Sequence, residues 1–474
     1  MAGVAGYFSL FLLINSEKFV RFNKRFLTTT MVSLGLLIFI NLRAHALAST
    51  DNDNLPTKQG LDNLSMQELD RFATVIQQVH RYYVEPIDNK KLIDYAISGM
   101  LSSLDPHSDY LDEDALKDLE TATTGKFGGI GIEILPSDGF IKVVSPIDDT
   151  PAYESGIKAG DLIVRINNQL VRDMTLRDAL NMIRGKSGTK VHLTILRKNN
   201  KSPLEFNVVR KIIKVKTVKT ELYPDNYGYI RLSFFQTSTR GDLVREIKKL
   251  EQKAKGNLKG VILDLRDNPG GLLDSAVDTT ELFLDSTHLK YNGLVVYTKG
   301  RIPSSDIKAF ATENDMLKGI PMVVVINEGS ASAAEIVAGA LQDQKRATLV
   351  GQKSFGKGSV QTVIGIDDTS AIKLTTALYY TPASRSIQAT GIEPDIEIPA
   401  ITIPKPNSEN EDSILISEAD LEKHLPNNAK NDTDTSREEI IDKKDRDLLY
   451  SDFTLYQALN VLRGLRASMT MSNY

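Results

Sequence analysis

Apolar positions along this chain recur with two different periods, and the period changes in blocks. The first block opens at Ser65-Met-Gln-Glu68, the spacing of a helix capping box, after which Leu69, Phe72, Ile76, Val79 and Tyr83 follow at intervals of three and four. An amphipathic helix is predicted. Its seam is only two heptads long and suits burial in the chain's own core and contact with a second copy equally. Residues 90–103 predict a second helix, ended by Leu104-Asp-Pro-His-Ser-Asp-Tyr-Leu111, where His107 reads as part of a capping turn rather than as a catalytic group. From Tyr227 onward the periods alternate. Residues 227–234, 260–265, 320–327 and 371–380 read as strands, residues 241–255 and 332–342 as helices, and the alternation predicts an α/β sheet.

Residues 125–211 have another texture. Phe127-Gly-Gly-Ile-Gly-Ile-Glu-Ile134 begins a strand after a glycine-rich turn, and Pro151-Ala-Tyr-Glu-Ser-Gly156 is a short helix with proline near its first turn. Residues 160–167 alternate as a strand. Thr175 caps a helix that carries Leu176, Leu180 and Ile183 on one face and ends at Gly185. A glycine-rich turn ahead of a strand is how a peptide carboxylate is captured on backbone N–H groups while the peptide adds a strand to the sheet.

The two ends of the chain differ from both blocks. Lys18, Arg21, Lys24 and Arg25 precede an apolar run over 31–40, and Ala46-Leu47-Ala48 follows in the form of a cleavage site, so residues 1–48 are expected to direct export. The run falls short of the roughly 20 residues of a membrane span, and retention as a membrane anchor stays open beside cleavage. Residues 402–445 are rich in Asn, Asp, Glu, Lys and Ser and read as a solvated linker. Phe453, Leu455, Leu459 and Leu462 then predict a terminal helix that must pack on something.

Composition narrows the classes. A chain of 474 residues fits two or three domains, and its net charge of −4 gives no reason to expect nucleic acid. Cysteine is absent, which excludes a disulfide framework and thiolate chemistry. Asp264 and Asp267 have no matching carboxylate or histidine cluster nearby, so no metal is expected.

Candidate chemistry concentrates in residues 329–361. Gly329-Ser-Ala-Ser-Ala-Ala-Glu335 lies between a predicted strand and a predicted helix, and a serine there sits beside the unpaired N–H groups of a helix start. Acyl transfer needs such donors for its oxyanion, but a serine that merely caps a helix would look the same. Lys357, flanked by Gly356 and Gly358, tips the balance, with Gln361 four residues on, within reach on a strand or a helix. A lysine acts as a base only when neutral, and burial lowers its pKa from about 10.4. A phosphate-binding loop is excluded because Gly358 stands where GxxxxGK[ST] requires Ser or Thr.

Together LDPHSDYL, GGIGI, LDLRDNPGGLL, GSASAAE, FGKGSVQ and YYTPASRSIQATGIEPDI, in that order over roughly residues 60–400, resemble the carboxyl-terminal processing (tail-specific) serine proteases. That resemblance implies a ClpP/crotonase-like α/β protease core with an inserted PDZ domain and an N-terminal helical segment. It implies Ser332 as nucleophile, 25 residues before the lysine (357 − 332 = 25), Lys357 as general base and Gln361 as the residue orienting the lysine. Ala334 stands where the family often has a third serine. Gly270 or Gly271 would join the Ala333 N–H in the oxyanion hole, and Gly129, Ile130, Gly131 and Ile132 would seat a substrate's C-terminus. The expected division is a signal peptide or anchor over 1–48, a helical segment over 49–124, PDZ over 125–211, protease core over 212–400, linker over 401–445 and helix over 446–474.

The function implied is an exported endopeptidase of the periplasm or cell envelope that recognises protein C-termini and needs no cofactor. A homo-oligomer and an activating or adaptor protein are open partners. Two rivals remain: a non-catalytic PDZ binding module or chaperone, and a penicillin-binding type of acyl transferase. The second needs S-x-x-K, whereas Glu335 stands three residues after Ser332.

Overall fold

The computed structural model describes residues 11–12, 65–404 and 444–471, apart from 138, 199, 288, 313 and 314. Residues 1–48 apart from 11 and 12, where export was expected to be encoded, and almost all of the polar linker lie outside the described residues. The chain divides into two compact units, residues 13–110 and residues 111–474 with 1–12.

In the smaller unit, α1 (Met66–Tyr82) starts at the predicted capping box: Ser65 Oγ accepts from the Glu68 N–H at 3.2 Å, and Glu68 accepts from the Ser65 N–H at 2.9 Å. No residue of α1 is buried, and Leu69 and Phe72 keep 45% and 47% of their surface exposed, so the seam does not enter a core formed by the described residues. Helix α2 (Asn89–Ser102) is capped by Asp88 and buries only Leu101. His107 stands in a turn in which the Asp105 carboxylate accepts from the N–H groups of His107 and Ser108, as the sequence suggested.

The larger unit begins with α3 (Glu113–Thr124), stopped by Gly125 at φ 66°. A small sandwich follows, made of β1 (Lys126–Gly129), β2 (Ile132–Ser137), β3 (Phe140–Pro146), β4 (Leu162–Ile166), β5 (Gln169–Leu170), β6 (Lys190–Leu196), β7 (Leu204–Val209) and β8 (Lys211–Lys214). The main sheet runs β2-β3-β4-β6-β7, with β5 on β4, and β1 pairs with β8. Strand β2 is therefore an edge. Helices α4 (Pro151–Glu154) and α5 (Leu176–Ile183) complete the sandwich, and Thr175 caps α5 in a reciprocal box with Asp178. Ile130, Val143, Ile163, Val191 and Leu193 are fully enclosed in its own core.

The rest of the larger unit holds a six-stranded sheet in the order β9 (Val218–Tyr223), β10 (Tyr227–Leu232), β11 (Gly260–Asp264), β14 (Met322–Ile326), β15 (Thr348–Gly351) and β18 (Ile396–Glu397). All pairs but the first are parallel. Because parallel strands need crossovers, helices α6 (Thr239–Lys253), α7 (Leu273–Glu281) and α8 (Ala333–Asp343) alternate with them. The strands are buried on both faces. Leu263, Val324 and Ile326 meet these helices, while Ile262, Val323 and Val325 meet α9 (Phe453–Met471) through Leu455, Ala458, Leu459 and Leu462. The terminal helix thus closes the second face of this sheet. In a second sheet, β16 (Ser359–Gly365), β17 (Ala371–Tyr380), β12 (Leu294–Gly300) and β13 (Lys308–Phe310) pair antiparallel with one another, and Phe11–Leu12 adds to β16 in parallel.

Candidate active site

Strand β14 ends at Ile326, and the chain reaches α8 through residues 327–332. Ser332 precedes the helix with φ 58° and ψ −115°, a conformation that costs a non-glycine residue about 1–3 kcal/mol and persists only where surroundings impose it. Its Oγ is buried near the Tyr379 phenol and has no geometrically good hydrogen bond among the described residues. Ser330 differs: its hydroxyl donates to the Leu265 carbonyl at 2.8 Å and accepts from the Asn327 N–H at 3.0 Å. One serine is committed to holding loops together, and the other is kept unengaged.

Glu335 explains how the two motifs meet. Its Oε2 accepts from the N–H of Ser332 and from the N–H of Lys357, each at 2.8 Å. Its Oε1 accepts from the Gly356 N–H at 2.7 Å and the Ser354 hydroxyl at 2.5 Å. Burial pushes this carboxyl above the usual range, against the pull of the four donors.

Lys357 is only 4% exposed. Its flanking glycines are required by packing: a Cβ at Gly358 would stand 2.5 Å from the Gln388 nitrogen, and Gly356 has φ 92°. The Tyr379 hydroxyl donates to the Lys357 carbonyl, and burial, then the nearby Glu335 carboxylate, hold that phenol well above its ordinary pKa. Gln361, on β16, is fully buried. Its amide nitrogen donates to Ser359 Oγ at 2.9 Å and Thr375 Oγ1 at 3.2 Å, while Oε1 has no hydrogen-bond partner among the described residues.

The loop after β11 lies against the same serine. A Cβ built on Gly270 would stand 2.7 Å from Ser332 Cβ and 3.0 Å from the Ala333 nitrogen. Asn268, fully buried, accepts from the Ala331 N–H at 2.9 Å through its carbonyl and from the Gly270 N–H at 2.9 Å through its side chain. The Gly270 N–H is therefore spoken for. No hydrogen bond among the described residues uses the N–H of Gly271 or Ala333. Asp264 belongs to an ion-pair network with Arg266, Arg231 and Tyr229.

In the sandwich, the carbonyl of Ile130 accepts from the Ala152 N–H and that of Gly131 from the Ile147 N–H and the Thr150 hydroxyl. The N–H groups of Ile130 and Gly131 donate to nothing described. Gly131 has φ 78°, and a Cβ there would meet Thr150 at 2.4 Å. Beyond Gly129 and Ile132 the edge strand β2 runs free, and a cleft of about 250 Å³ lined by Pro136, Ser137, Met174 and Leu176 lies at its far end.

The family model of peptidase family S41 matches residues 226–398, a PDZ domain model matches 142–197, and the N-terminal domain of the activating protease CtpB matches 31–115. A carboxy-terminal-processing protease of Bartonella bacilliformis is 43% identical over 399 residues, covering 84% of this chain and 89% of the relative. The chain belongs to the carboxy-terminal-processing protease family. The carboxy-terminal processing protease CtpA of Bacillus subtilis is 36% identical over 372 residues, covering 78% of this chain and 75% of the relative. The photosystem II D1 C-terminal processing protease is similar at 28% identity and a TM-score of 0.40, covering 69% of this chain and 86% of that one.

As a member of this family the protein is a serine-type peptidase with a PDZ domain. Sequence reasoning singled out Ser332, Lys357 and Gln361 as candidates and gave no role to three residues that hydrogen-bond in the segments carrying them: Glu335, Asn268 and Tyr379. Ser332 and Glu335 do have the S-x-x-E spacing of a capping box, which could have marked the glutamate. Tyr379 carries no local signal, because Lys357 lies 22 residues away, whereas Asn268 accepts from the Gly270 N–H two residues on, a turn contact that Asn-Pro-Gly could have suggested.

Proposed function

We propose that this peptidase hydrolyses proteins near their C-termini by a Ser332–Lys357 dyad. The observation that carries the reading is the single oxygen of Glu335 that accepts both the Ser332 and the Lys357 N–H. Neutral Lys357 takes the proton of the Ser332 hydroxyl as Oγ attacks the scissile carbonyl, and then gives it to the leaving amine. Water releases the acyl group in a second round. Gln361 Oε1, which bonds to nothing among the described residues, is assigned the role of accepting from Nζ once substrate is seated. The N–H groups of Ala333 and Gly271 receive the oxyanion, Gly270 being committed to Asn268.

The PDZ domain binds the substrate's C-terminal carboxylate on the N–H groups of Ile130 and Gly131 while the peptide extends the β2 edge between Gly129, Ile132 and α5. The exposed α1 seam supports contact with a second copy or an activating protein. The basic and apolar pattern of residues 18–48 supports export to the periplasm or cell envelope. A fluorophosphonate probe tests the chemistry: mass spectrometry should find it on Ser332, and labelling elsewhere would refute the dyad.

A further inference from the structure

Arg266 stands at the root of the loop that ends in Gly270 and Gly271, and its guanidinium lies between two carboxylates. Towards the core, Nε donates to Asp264 at 3.0 and 3.1 Å and Nη2 at 2.7 Å. Asp264 is fully buried and also takes the Tyr229 hydroxyl at 2.9 Å and Arg231 at 3.2 Å. On its other side, Arg266 reaches 186 residues along the chain: Nη1 and Nη2 donate to the two oxygens of Asp452 at 2.9 and 2.7 Å. Asp452 immediately precedes α9, and its Oδ1 also accepts from the Leu455 N–H at 3.0 Å. One carboxylate thus caps the terminal helix and grips the arginine in two-pronged geometry, the strongest form of such a pair. From Arg266 the loop reaches Ser332 in few steps, through the Asn268 carbonyl on the Ala331 N–H and the packing of Gly270 on Ser332.

We infer that Asp452 is a positioning residue for peptide hydrolysis: by clamping Arg266 it keeps the loop of Gly270 and Gly271 in register with Ser332. The C-terminal helix is then part of the catalytic apparatus as well as a cover for the sheet. This rests on the reading above that the loop supplies an oxyanion donor. A guanidinium held from one side can swing with its loop, and one held from both sides cannot. Displacing a catalytic donor by 1 Å costs on the order of 10²-fold in rate.

The test uses the full chain and a short peptide substrate. Asp452→Asn keeps the helix cap, since asparagine caps as well as aspartate, but removes the charge that holds Arg266. The expected result is a kcat lower by about tenfold or more with KM unchanged, and recovery of most of that loss in Asp452→Glu. Leu462→Ala, which loosens α9 without touching the ion pair, serves as the structural control and should leave kcat near wild type below its melting temperature. A wild-type kcat in Asp452→Asn overturns the inference, and so does an equal loss in Leu462→Ala. Ser332→Ala assayed alongside separates the two levels: activity there refutes the dyad itself, whereas its loss beside an unimpaired Asp452→Asn refutes only the role of Asp452.

Discussion

At the scale of single residues, two serines two positions apart have opposite surroundings. Ser332→Ala should abolish cleavage with little effect on folding, because its Oγ holds no hydrogen bond among the described residues. Ser330→Ala should keep the chemistry but lower stability by about 1 kcal/mol, since it removes a buried hydrogen bond to the Leu265 carbonyl and one from the half-buried Asn327 N–H. Comparison of kcat and thermal melting checks both, and equal loss of activity would mean the nucleophile has been misassigned. Glu335→Gln is a sharper probe. The carboxylate takes four donors on two oxygens, whereas an amide offers one acceptor oxygen and turns its NH₂ toward two of them. A fall in kcat of about 10²-fold is expected, and a near-wild-type rate would show that the shared oxygen does not align the dyad. Lys357→Arg should be inactive, because arginine stays protonated. For wild type, the rate should climb with pH as the lysine loses its proton, with a midpoint below about 10.4, because a buried ammonium is disfavoured. A rate still rising unchanged through about pH 10 would remove the lysine from its role.

Among the elements, α8 carries the clearest conflict between local preference and packing. Its one interior glycine, Gly339, lowers helix propensity by about 1 kcal/mol relative to alanine. A Cβ there would stand 2.9 Å from Thr381 Cγ2 and 3.0 Å from Ile392 Cδ1, both on buried residues. Gly339→Ala should therefore lower the melting temperature despite the better propensity, as overpacking costs about 1–3 kcal/mol. A rise in melting temperature would show that the crowding relaxes freely. The strands were legible for a related reason: runs such as Met322–Ile326 are apolar on both faces, the mark of a sheet covered twice. What covers the second face was not legible, because the linker before α9 separates it from the strands by a long, uninformative stretch. The α1 seam was read as suiting the chain's own core or a second copy equally, and the exposure of Leu69 and Phe72 removes the first choice for the described residues.

For the whole molecule, the test lies in the traffic between PDZ domain and peptidase. If the N–H groups of Ile130 and Gly131 seat a carboxylate, amidating a substrate's C-terminus should weaken its cleavage, seen as a raised KM for protein substrates. Equal cleavage of amide and free acid would sink that role. Gly131 is a poor place for a complementary mutation. Its positive φ and its contact with Thr150 mean that any side chain distorts the loop, whether or not peptide is bound. The sequence by itself displayed the family's motifs in order, most element boundaries in the described residues, and Ser332, Lys357 and Gln361 as candidates for the site. These are written in local period, capping and glycine spacing, which a linear chain displays. Only the tertiary structure decided which loops meet: Glu335 bonding to both motifs, the Asn268 carbonyl taking the Ala331 N–H, and Asp452 closing on Arg266 from the far end of the chain. Hydrogen bonds between distant segments follow from how the sheet stacks its strands and cannot be read from the neighbours of any one residue.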